Sequence, residues 1–282
     1  MSPLLKIRSE RDQMSAIERR IADFILENSH LLRDYSSQQL ANALKISQSS
    51  VVKFSQKLGF KGYPDLKFSV GEAVARDNGG GVARVVEAKR NGPHAARAED
   101  LWRGKSRAEE ETRLINGADR LDDIAKAIDR ADKVFCIGLG EDGIPARAFA
   151  NRLSLLGILT VHHFDPMLMA SAISSSRKGD VLVVFSEHGG QAALVHLQRE
   201  FREHNGKVVS VTRHTANAVR AHADLPLLVS AHDERTHVEP LLYQSALHHL
   251  LDLIFLVLCE EGSERLKRLE ANLERMSTMH EP

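Results

Sequence analysis

The stretch SQQLANALKISQSSVVKFSQKLGF, residues 37–60, carries the pattern that decides the fold of the first part of the chain. Two short segments with apolar residues at helical spacing are separated by Lys45-Ile46-Ser47. Ser47 can cap the second segment, and Gly59 is a typical helix stop. Two short helices joined by three or four residues are the signature of a helix-turn-helix, so the sequence predicts that motif here.

Further helix signals precede the motif. Apolar residues recur at three- and four-residue spacing from Ile17 to Ile25, and Ser15 with Glu18 matches the pattern of a capping box. Ser36 or Ser37 can cap the first helix of the motif. The front of the chain is therefore predicted to be all helical.

The second helix of the motif presents polar side chains on the side opposite Val51, Phe54 and Leu58. Gln and Ser at the start of such a helix can hydrogen-bond base edges in the major groove, while Lys side chains neutralise phosphates. A solvated Lys face on a small helical module is the alternative explanation. The predicted DNA-binding residues are Ser37, Ser47, Gln48, Ser49, Ser50, Lys53, Lys57 and Lys61.

The net charge of the whole chain argues against a nucleic-acid partner, because the 38 basic and 38 acidic residues of the 282-residue chain cancel. The balance differs along the chain. Residues 1–76 hold 12 basic and 8 acidic side chains, whereas residues 131–282 hold 15 and 19. A basic N-terminal part and an acidic C-terminal part fit an N-terminal domain that binds DNA and a C-terminal domain that DNA repels.

In the second half of the chain, the spacing of apolar residues is different. Short apolar runs (KVFCIG, ILTVHH, VLVVFS, KVVSVT and LPLLVS) alternate with helical stretches, which predicts a five-stranded parallel sheet covered on both faces. Ala108 to Asp129 is predicted as one helix before the first strand. Between the halves, a Gly triplet and a Gly-Pro step indicate a linker. The predicted division is residues 1–76, a linker at 77–107, and 108–282.

The runs IADFILEN and SSQQLANALKISQSSVVKFSQKLGFKGYPDLK closely resemble the N-terminal domain of RpiR-type bacterial transcriptional regulators. Within that family they are most similar to repressors of N-acetylmuramic acid catabolism. The resemblance implies that the second domain is a SIS (sugar isomerase) domain, giving an α+β two-domain protein with an all-α head. It also implies a homodimer or homotetramer that binds a double-stranded DNA operator under control of a sugar-derived effector, phosphorylated or not.

A SIS domain holds a phosphosugar between a Gly-rich turn and a Ser-x-Ser-Gly-x-Thr or Ser loop at the carboxyl ends of its strands. Here the resemblance places these loops at residues 138–143 and 186–190. Asp142 stands where the family usually has Ser, His188 replaces the second Ser, and Gly190 replaces the terminal hydroxyl residue. The predicted effector-binding residues are Gly138, Gly140, Glu141, Asp142, Ser186, His188, Gly189, Gly190 and Glu239.

These departures remove hydroxyl donors and add carboxylates where a phosphate is expected. Unless the carboxylates are protonated or paired with Lys or Arg, they would repel a dianion. A protonated His188 would restore one positive donor. A phosphosugar held mainly by backbone amides, a neutral or cationic sugar derivative, and a merely structural domain all stay open.

Other functions are less favoured by the residues. Gly138 to Gly143 is a formal G-x-G-x-x-G with Asp165 as a ribose acid, but Glu141 and Asp142 would lie where a pyrophosphate needs amide donors. Two groups of metal-ligand side chains follow strands: His162, His163, Asp165 and His188, and then His232, Asp233, His237 and Glu239. Scattered exposed histidines are the simpler explanation, so no metal and no cofactor is predicted.

Catalysis has little support, because no set of nucleophile, base and orienting group is legible. Glu239 or His237 would be the nominal base in the alternative function, a sugar-phosphate isomerase or dinucleotide-dependent enzyme with a helical accessory domain. Two cysteines 123 positions apart fit a reducing cytosol. The start lacks the apolar core of a signal peptide, and the longest apolar run contains Asp252. A cytoplasmic, non-enzymatic regulator without membrane contact is expected.

Overall fold

The computed structural model describes residues 3–29, 32, 35–79, 93–260 and 262–279. The chain divides into two compact units, residues 1–103 and 104–282. Most of the Gly-rich part of the predicted linker, residues 80–92, lies outside the described residues. Helix α6 spans Pro93–Ile115, so residues 93–107 of the predicted linker are helical.

The first unit is a small helical domain. Its elements are α1 (Pro3–Glu10), a 3-10 turn (Arg11–Gln13), α2 (Ala16–Glu27), α3 (Ser37–Ala43), α4 (Gln48–Lys57) and α5 (Tyr63–Gly79). The capping box of Ser15 and Glu18 is present as predicted, and a second one joins Ser36 to Gln39. Helix α1 was not predicted from the sequence.

Helices α3 and α4 form the predicted helix-turn-helix. After α3, the amide of Ile46 donates to the carbonyl of Ala41 at 2.9 Å, and Lys45 takes the left-handed conformation with φ +48°. This satisfies the last carbonyls of α3 and turns the chain toward α4. Gly59 ends α4 with φ +80°, as predicted.

The core of this domain lies between α2, α4 and their neighbours. Val51 and Phe54 of α4, and Leu58 directly after it, are at most 1% exposed and pack with Ile21 and Ile25. The side of α4 that the sequence assigned to the core is therefore confirmed. The remaining face is left to solvent or to a partner.

The second unit is a three-layer α/β domain. Its helices are α7 (Ala118–Asp129), α8 (Gly143–Leu155), α9 (Pro166–Ile173), α10 (Ala192–Glu203), α11 (Ala218–Ala221), α12 (Glu239–Leu258) and α13 (Glu264–Thr278). The strands are β1 (Val134–Gly138), β2 (Thr160–His162), β3 (Val181–Phe185), β4 (Lys207–Arg213) and β5 (Leu225–Val229). All five coincide with the predicted apolar runs.

The strands form one parallel sheet in the order β2-β1-β3-β4-β5. Cys136 pairs with Val183, which pairs with Val209, so the centre of the sheet is an apolar row. The chain runs outward in opposite directions from β1 and β3. The crevice outside the carboxyl ends of these two strands is the expected ligand site of such a sheet.

The edge strand β5 is covered by the end of α6. Asn116 exchanges hydrogen bonds with the backbone of Leu228 (2.6 and 3.0 Å), and Thr112 does the same with Ser230 (3.2 and 2.9 Å). The single helix predicted from Ala108 to Asp129 is in fact two helices, because α6 ends at Ile115 and α7 begins at Ala118. These bonds satisfy an edge that would otherwise be open to pairing.

Helix α12 is long and apolar enough to cross a membrane by length and composition alone. Eight of its residues, including Leu242, Leu247 and Ile254, are instead buried in the second unit. This is the pattern of a core helix in a folded domain.

Candidate functional site

The polar residues of α4 that are predicted to bind DNA lie mostly at the surface. Gln48, Ser49, Lys53 and Lys57 are exposed, and Ser50 is half-buried. Helix α4 begins at Gln48, capped by Ser47, whose Oγ accepts from the amide of Ser50 at 3.2 Å. The structure thus brings the predicted residues to the amino end of one helix.

Hydrogen bonds organise this amino end. The Gln48 Nε2 donates to Ser37 Oγ at 2.8 Å, which links the starts of α3 and α4. The hydroxyls of Ser49 and Ser50 both lie 2.8 Å from Ser47 Oγ. The Gln48 side chain is therefore oriented before any partner arrives, and its amide oxygen can still accept a hydrogen bond.

The three predicted phosphate-binding lysines are not equivalent. Lys57 Nζ donates to both carboxylate oxygens of Glu18, at 2.9 and 3.0 Å, so its charge is already paired. Lys53 has no hydrogen-bond or ion-pair partner among the described residues and is exposed. Lys61 uses its backbone amide to bind Asp65 at 2.9 Å, while its side chain stays exposed.

The second unit places the two predicted effector loops side by side, after β1 and β3. Gly138 is the last residue of β1, and a Cβ there would lie 2.2 Å from the carbonyl oxygen of Asp142. The turn Gly140–Asp142 is a 3-10 helix that begins with Gly140 at φ +61°. Both glycines are required for the chain to fold back this tightly.

The loop after β3 is built around Ser186. Its buried hydroxyl accepts from the amide of Gly189 at 3.2 Å and donates to Gln191 at 3.3 Å. Gly189 has φ +62°, and a Cβ there would lie 1.9 Å from Asn217 Oδ1. Ser186 therefore shapes the loop from within, a role that the effector-binding prediction did not foresee. The six-residue pattern that begins at Ser186 ends at Gln191, so Gln191, and not Gly190, holds its terminal position.

A carboxylate joins the two loops. Both oxygens of Asp142 accept from the amide of Glu187, at 3.1 and 3.2 Å. This is the kind of contact that an anionic ligand would make with a loop amide. Asp142, which stands where the family usually has Ser, thus occupies one amide donor of the second loop with the protein's own carboxylate.

Arg213, the last residue of β4, is the functional candidate that the sequence interpretation missed. Its guanidinium donates to Glu187 Oε1 (3.0 Å from Nε), to Glu239 Oε1 at 2.9 Å and to the carbonyl of Ala231 at 3.0 Å. It lies over the ring of the buried Tyr243, 5.5 Å from the centroid. A basic residue ending a strand at this edge of the sheet was the available signal.

Electrostatics at this centre favour a charged Arg213. Burial alone would lower the pKa of Arg213, but the hydrogen bonds and charge of Glu187, with those of Glu239, raise it. Burial also raises the pKa of Tyr243 well above its ordinary value, helped by the charges of Asp142 and Glu187. The arginine pairs the Glu187 carboxylate that would otherwise repel an anionic ligand.

The other predicted effector residues lie around this centre. His188 is exposed, with its Nε2 4.0 Å from Glu187 Oε1, and Glu141 and Gly190 are exposed at the rim. Glu239 begins α12 and lies 3.8 Å from His232 Nδ1. Within the described residues, no three His, Cys, Asp or Glu side chains are arranged to hold a metal ion.

Two observations bear on the dinucleotide alternative. Asp165 caps α9 by accepting from the amides of Met167 (2.8 Å) and Leu168 (3.0 Å), so it serves as a helix cap. A Cβ on Gly143 would lie 2.7 Å from a ring carbon of Phe164, so this glycine is explained by packing. The glycine spacing has a structural cause that needs no nucleotide.

The raised pKa of Asp142 gives a testable pH dependence. Burial is the main cause, the charges of Glu187 and Glu141 add to it, and the amide bond from Glu187 and the charge of His188 oppose it. Because the folded pKa is raised, the charged form costs stability above that pKa, and the cost disappears once the pH falls below the ordinary value of 3.8. Asp142→Asn should therefore raise the Tm at pH 7, and calorimetry should find the advantage shrinking toward pH 3.8. A Tm difference independent of pH would contradict this.

Comparison with known proteins identifies both units. Residues 1–77 match the helix-turn-helix domain of the rpiR family, and residues 127–256 match the SIS domain. The chain is 29% identical over 281 residues to the uncharacterized HTH-type transcriptional regulator YfhH of Escherichia coli K12. That alignment covers 98% of this chain and all of YfhH.

Solved structures share the fold. The NanR protein of Vibrio vulnificus, complexed with ManNAc-6P, superposes with a TM-score of 0.61 at 22% identity, covering 99% of this chain and 100% of NanR. The sugar isomerase domain of an RpiR transcription factor from Sphaerobacter thermophilus gives 0.56 at 16% identity. It covers 64% of this chain and 98% of that domain.

Proposed function

We propose that the chain is a transcriptional regulator that binds operator DNA through α4 and a sugar-derived effector through the loops after β1 and β3. The proposal is supported by its domains, because a helix-turn-helix domain of the rpiR family joined to a SIS domain is the domain composition of an RpiR-type regulator. The exposed polar start of α4 carries the DNA-binding half of this proposal. The paired loops at the switch point of the sheet carry the effector half.

Helix α4 has the side chains that reading a major groove requires. Gln48 is oriented by its bond to Ser37 and retains an acceptor for a base edge, and Ser49 follows it on the exposed surface. Lys53, one and a half turns along the helix, is available for a phosphate. Phosphate contacts would position the head and Gln48 would supply sequence preference.

Lysine variants test the DNA interface. Lys53→Gln should weaken binding roughly tenfold near 0.1 M salt and reduce the salt slope by about 1, since one phosphate contact is lost. Lys57→Gln is the matched control and should cost about threefold or less, because its charge is shared with Glu18. Fluorescence anisotropy with labelled upstream DNA measures both. Equal losses for the two lysines would contradict the assignment.

The amino end of α10 is the best place for an anionic group of the effector. Gln191 makes no side-chain cap bond there, the first turn holds no acidic residue, and Ala192 and Ala193 are small and exposed. Unfilled amides at a helix start bind phosphate or carboxylate oxygens. With Arg213 pairing Glu187, a sugar phosphate can bind at this end while its hydroxyls face Asp142 and Glu239.

The effector class can be tested by ligand screening. NanR, whose fold this chain shares, was solved with ManNAc-6P, which supports an amino-sugar phosphate as the first compound to try. N-acetylmuramic acid derivatives follow from the family resemblance. We expect a thermal-melt screen of the full chain to give saturable shifts with amino-sugar phosphates and none with NAD. Shifts with NAD alone would instead support the dinucleotide-dependent alternative.

Regulation would operate through a homo-oligomer. An effector that favours one arrangement of two SIS domains would change the spacing of two α4 helices relative to half-sites about one helical turn apart. The proposed outcome is a change of operator affinity without any covalent chemistry. Size-exclusion chromatography with light scattering, with and without effector, tests the oligomer on which this depends.

Binding without turnover is the proposed behaviour of the SIS domain. Glu239, the nominal base of an isomerase, lies 2.9 Å from the Arg213 guanidinium, so its carboxylate is already engaged in an ion pair. An isomerase assay on any sugar phosphate that binds decides the point. Turnover at a rate typical of enzymes, about 1 s⁻¹ or faster, would support the enzyme alternative.

A further inference from the structure

A recess lies at the opposite edge of the sheet from the loops after β1 and β3. It is an open cleft of about 580 Å³ at the amino ends of β3, β4 and β5. We name it the amino-edge cleft. Its charged lining consists of Lys126, Arg130, Lys178, Lys207, Asp123 and Asp180. Because all strands are parallel, this edge is separate from the loops after β1 and β3.

The cleft is basic although residues 131–282 are acidic overall. Asp180 is 1% exposed, and its carboxylate accepts from the amides of Lys133 (3.1 Å) and Arg177 (3.0 Å), with Lys133 Nζ at 3.4 Å. Its charge is therefore compensated inside the domain. Among the residues that line the cleft, Asp123 is then the remaining acidic side chain beside four cations, and the carboxylates of Asp122 and Asp132 lie near the lining.

The cations are mostly unpaired. Lys126 lies 3.9 Å from Asp122, but Arg130, Lys178 and Lys207 have no ion-pair or side-chain hydrogen-bond partner among the described residues. Each of these three is exposed. Bringing like charges together without a partner costs free energy, and a bound anion would recover that cost.

The helix dipole explains only part of this arrangement. Lys126 and Arg130 lie at the carboxyl end of α7, where basic residues are favourable in any helix. Lys178 instead lies in the turn before β3, and Lys207 is the first residue of β4. Three separate elements thus direct cations to one recess.

We propose that the amino-edge cleft binds a small phosphorylated metabolite carrying at least two negative charges. The volume is within the range of small-molecule sites, and a charged lining suits a compact polyanion better than an apolar ligand. Arg130 can bind a phosphoryl group in a bidentate manner, and Lys178 and Lys207 act as point charges. DNA presents its phosphates on a convex surface, which fits a recess less well.

Pyrophosphate is the probe for this site in the full-length protein. Titration calorimetry at constant ionic strength should show saturable binding. The double variant Lys178→Gln/Lys207→Gln should weaken it about tenfold or more, since two charge-assisted contacts are lost. Lys267→Gln, an exposed lysine on α13, is the matched control and should leave the affinity unchanged.

Three outcomes would overturn the proposal. If the titration with pyrophosphate gives no more heat than a titration with sodium chloride at equal ionic strength, the effect is ionic screening only. Unchanged affinity in the double variant would place the anion elsewhere, including the amino end of α10. If the full-length protein does not bind pyrophosphate and the double variant loses affinity for an unrelated DNA duplex, the cleft binds DNA phosphates instead. The operator and sugar proposals have tests of their own, with labelled upstream DNA and with amino-sugar phosphates.

Discussion

Arg213→Met is expected to lower the free energy of unfolding of the SIS domain by about 3 kcal/mol. Arg213 is only 11% exposed, and its removal leaves the carboxylates of Glu187 (16% exposed) and Glu239 (28%) together without their shared cation. Removing one partner of a buried ion pair is costly because the other charge stays buried. Scanning calorimetry of the full chain measures the loss, and effector binding should disappear with it.

Two further variants make the Arg213 result interpretable. Arg113→Met breaks an exposed pair with Glu110 on α6 and should cost less than about 1 kcal/mol. Adding Glu187→Gln to Arg213→Met should recover part of the stability, since one uncompensated charge is removed. If Arg213→Met unfolds like Arg113→Met, the guanidinium does not hold the loop after β3 to the start of α12.

Gly138→Ala should have an effect of similar size for a steric reason. The new Cβ would lie 2.2 Å from the carbonyl oxygen of Asp142, a backbone atom that cannot rotate away. Overpacking of this kind costs about 3 kcal/mol and would displace Asp142 from the amide of Glu187. The variant should therefore lose both stability and effector binding.

Gly140→Ala is the matched control two residues away. Its φ of +61° is unfavourable for Ala, but none of the described atoms outside the turn lies within 4 Å of a Cβ placed there. A cost of about 1–2 kcal/mol is expected from the backbone alone. Equal Tm values for the two variants would mean that backbone conformation, and not the close approach at Gly138, shapes the turn.

Local signals explain why so much of the fold was predictable. Helix ends are set by contacts within one helical turn, so residue types alone indicate where helices begin and end. Ser15 with Glu18 starts α2, Ser47 starts α4, and Gly59 follows the end of α4. The five strands followed from short apolar runs for the same reason. The start of α6 at Pro93 was missed because glycine-rich residues next to it suggested a linker, although Pro is favourable in a first helical turn.

The contacts that define the sites are long-range, and the sequence does not reveal them. Arg213 is 26 residues from both Glu187 and Glu239, and Lys57 is 39 residues from Glu18. These pairs meet only because α2 packs near α4 in one unit, and β4 ends beside β3 in the other. The residue type indicates that Lys57 is exposed, but not that Glu18 pairs with it.

In the proposed mechanism, operator binding by α4 is controlled from the SIS domain. The most direct test measures anisotropy of labelled upstream DNA and of an unrelated duplex, over a range of salt, with and without the sugar effector found by screening. We expect tighter binding to the upstream DNA, an affinity that falls linearly with salt on logarithmic axes, and a change of at least about fivefold on adding effector. Equal affinity for both duplexes, or an operator affinity unaffected by an effector that saturates the protein, would contradict it.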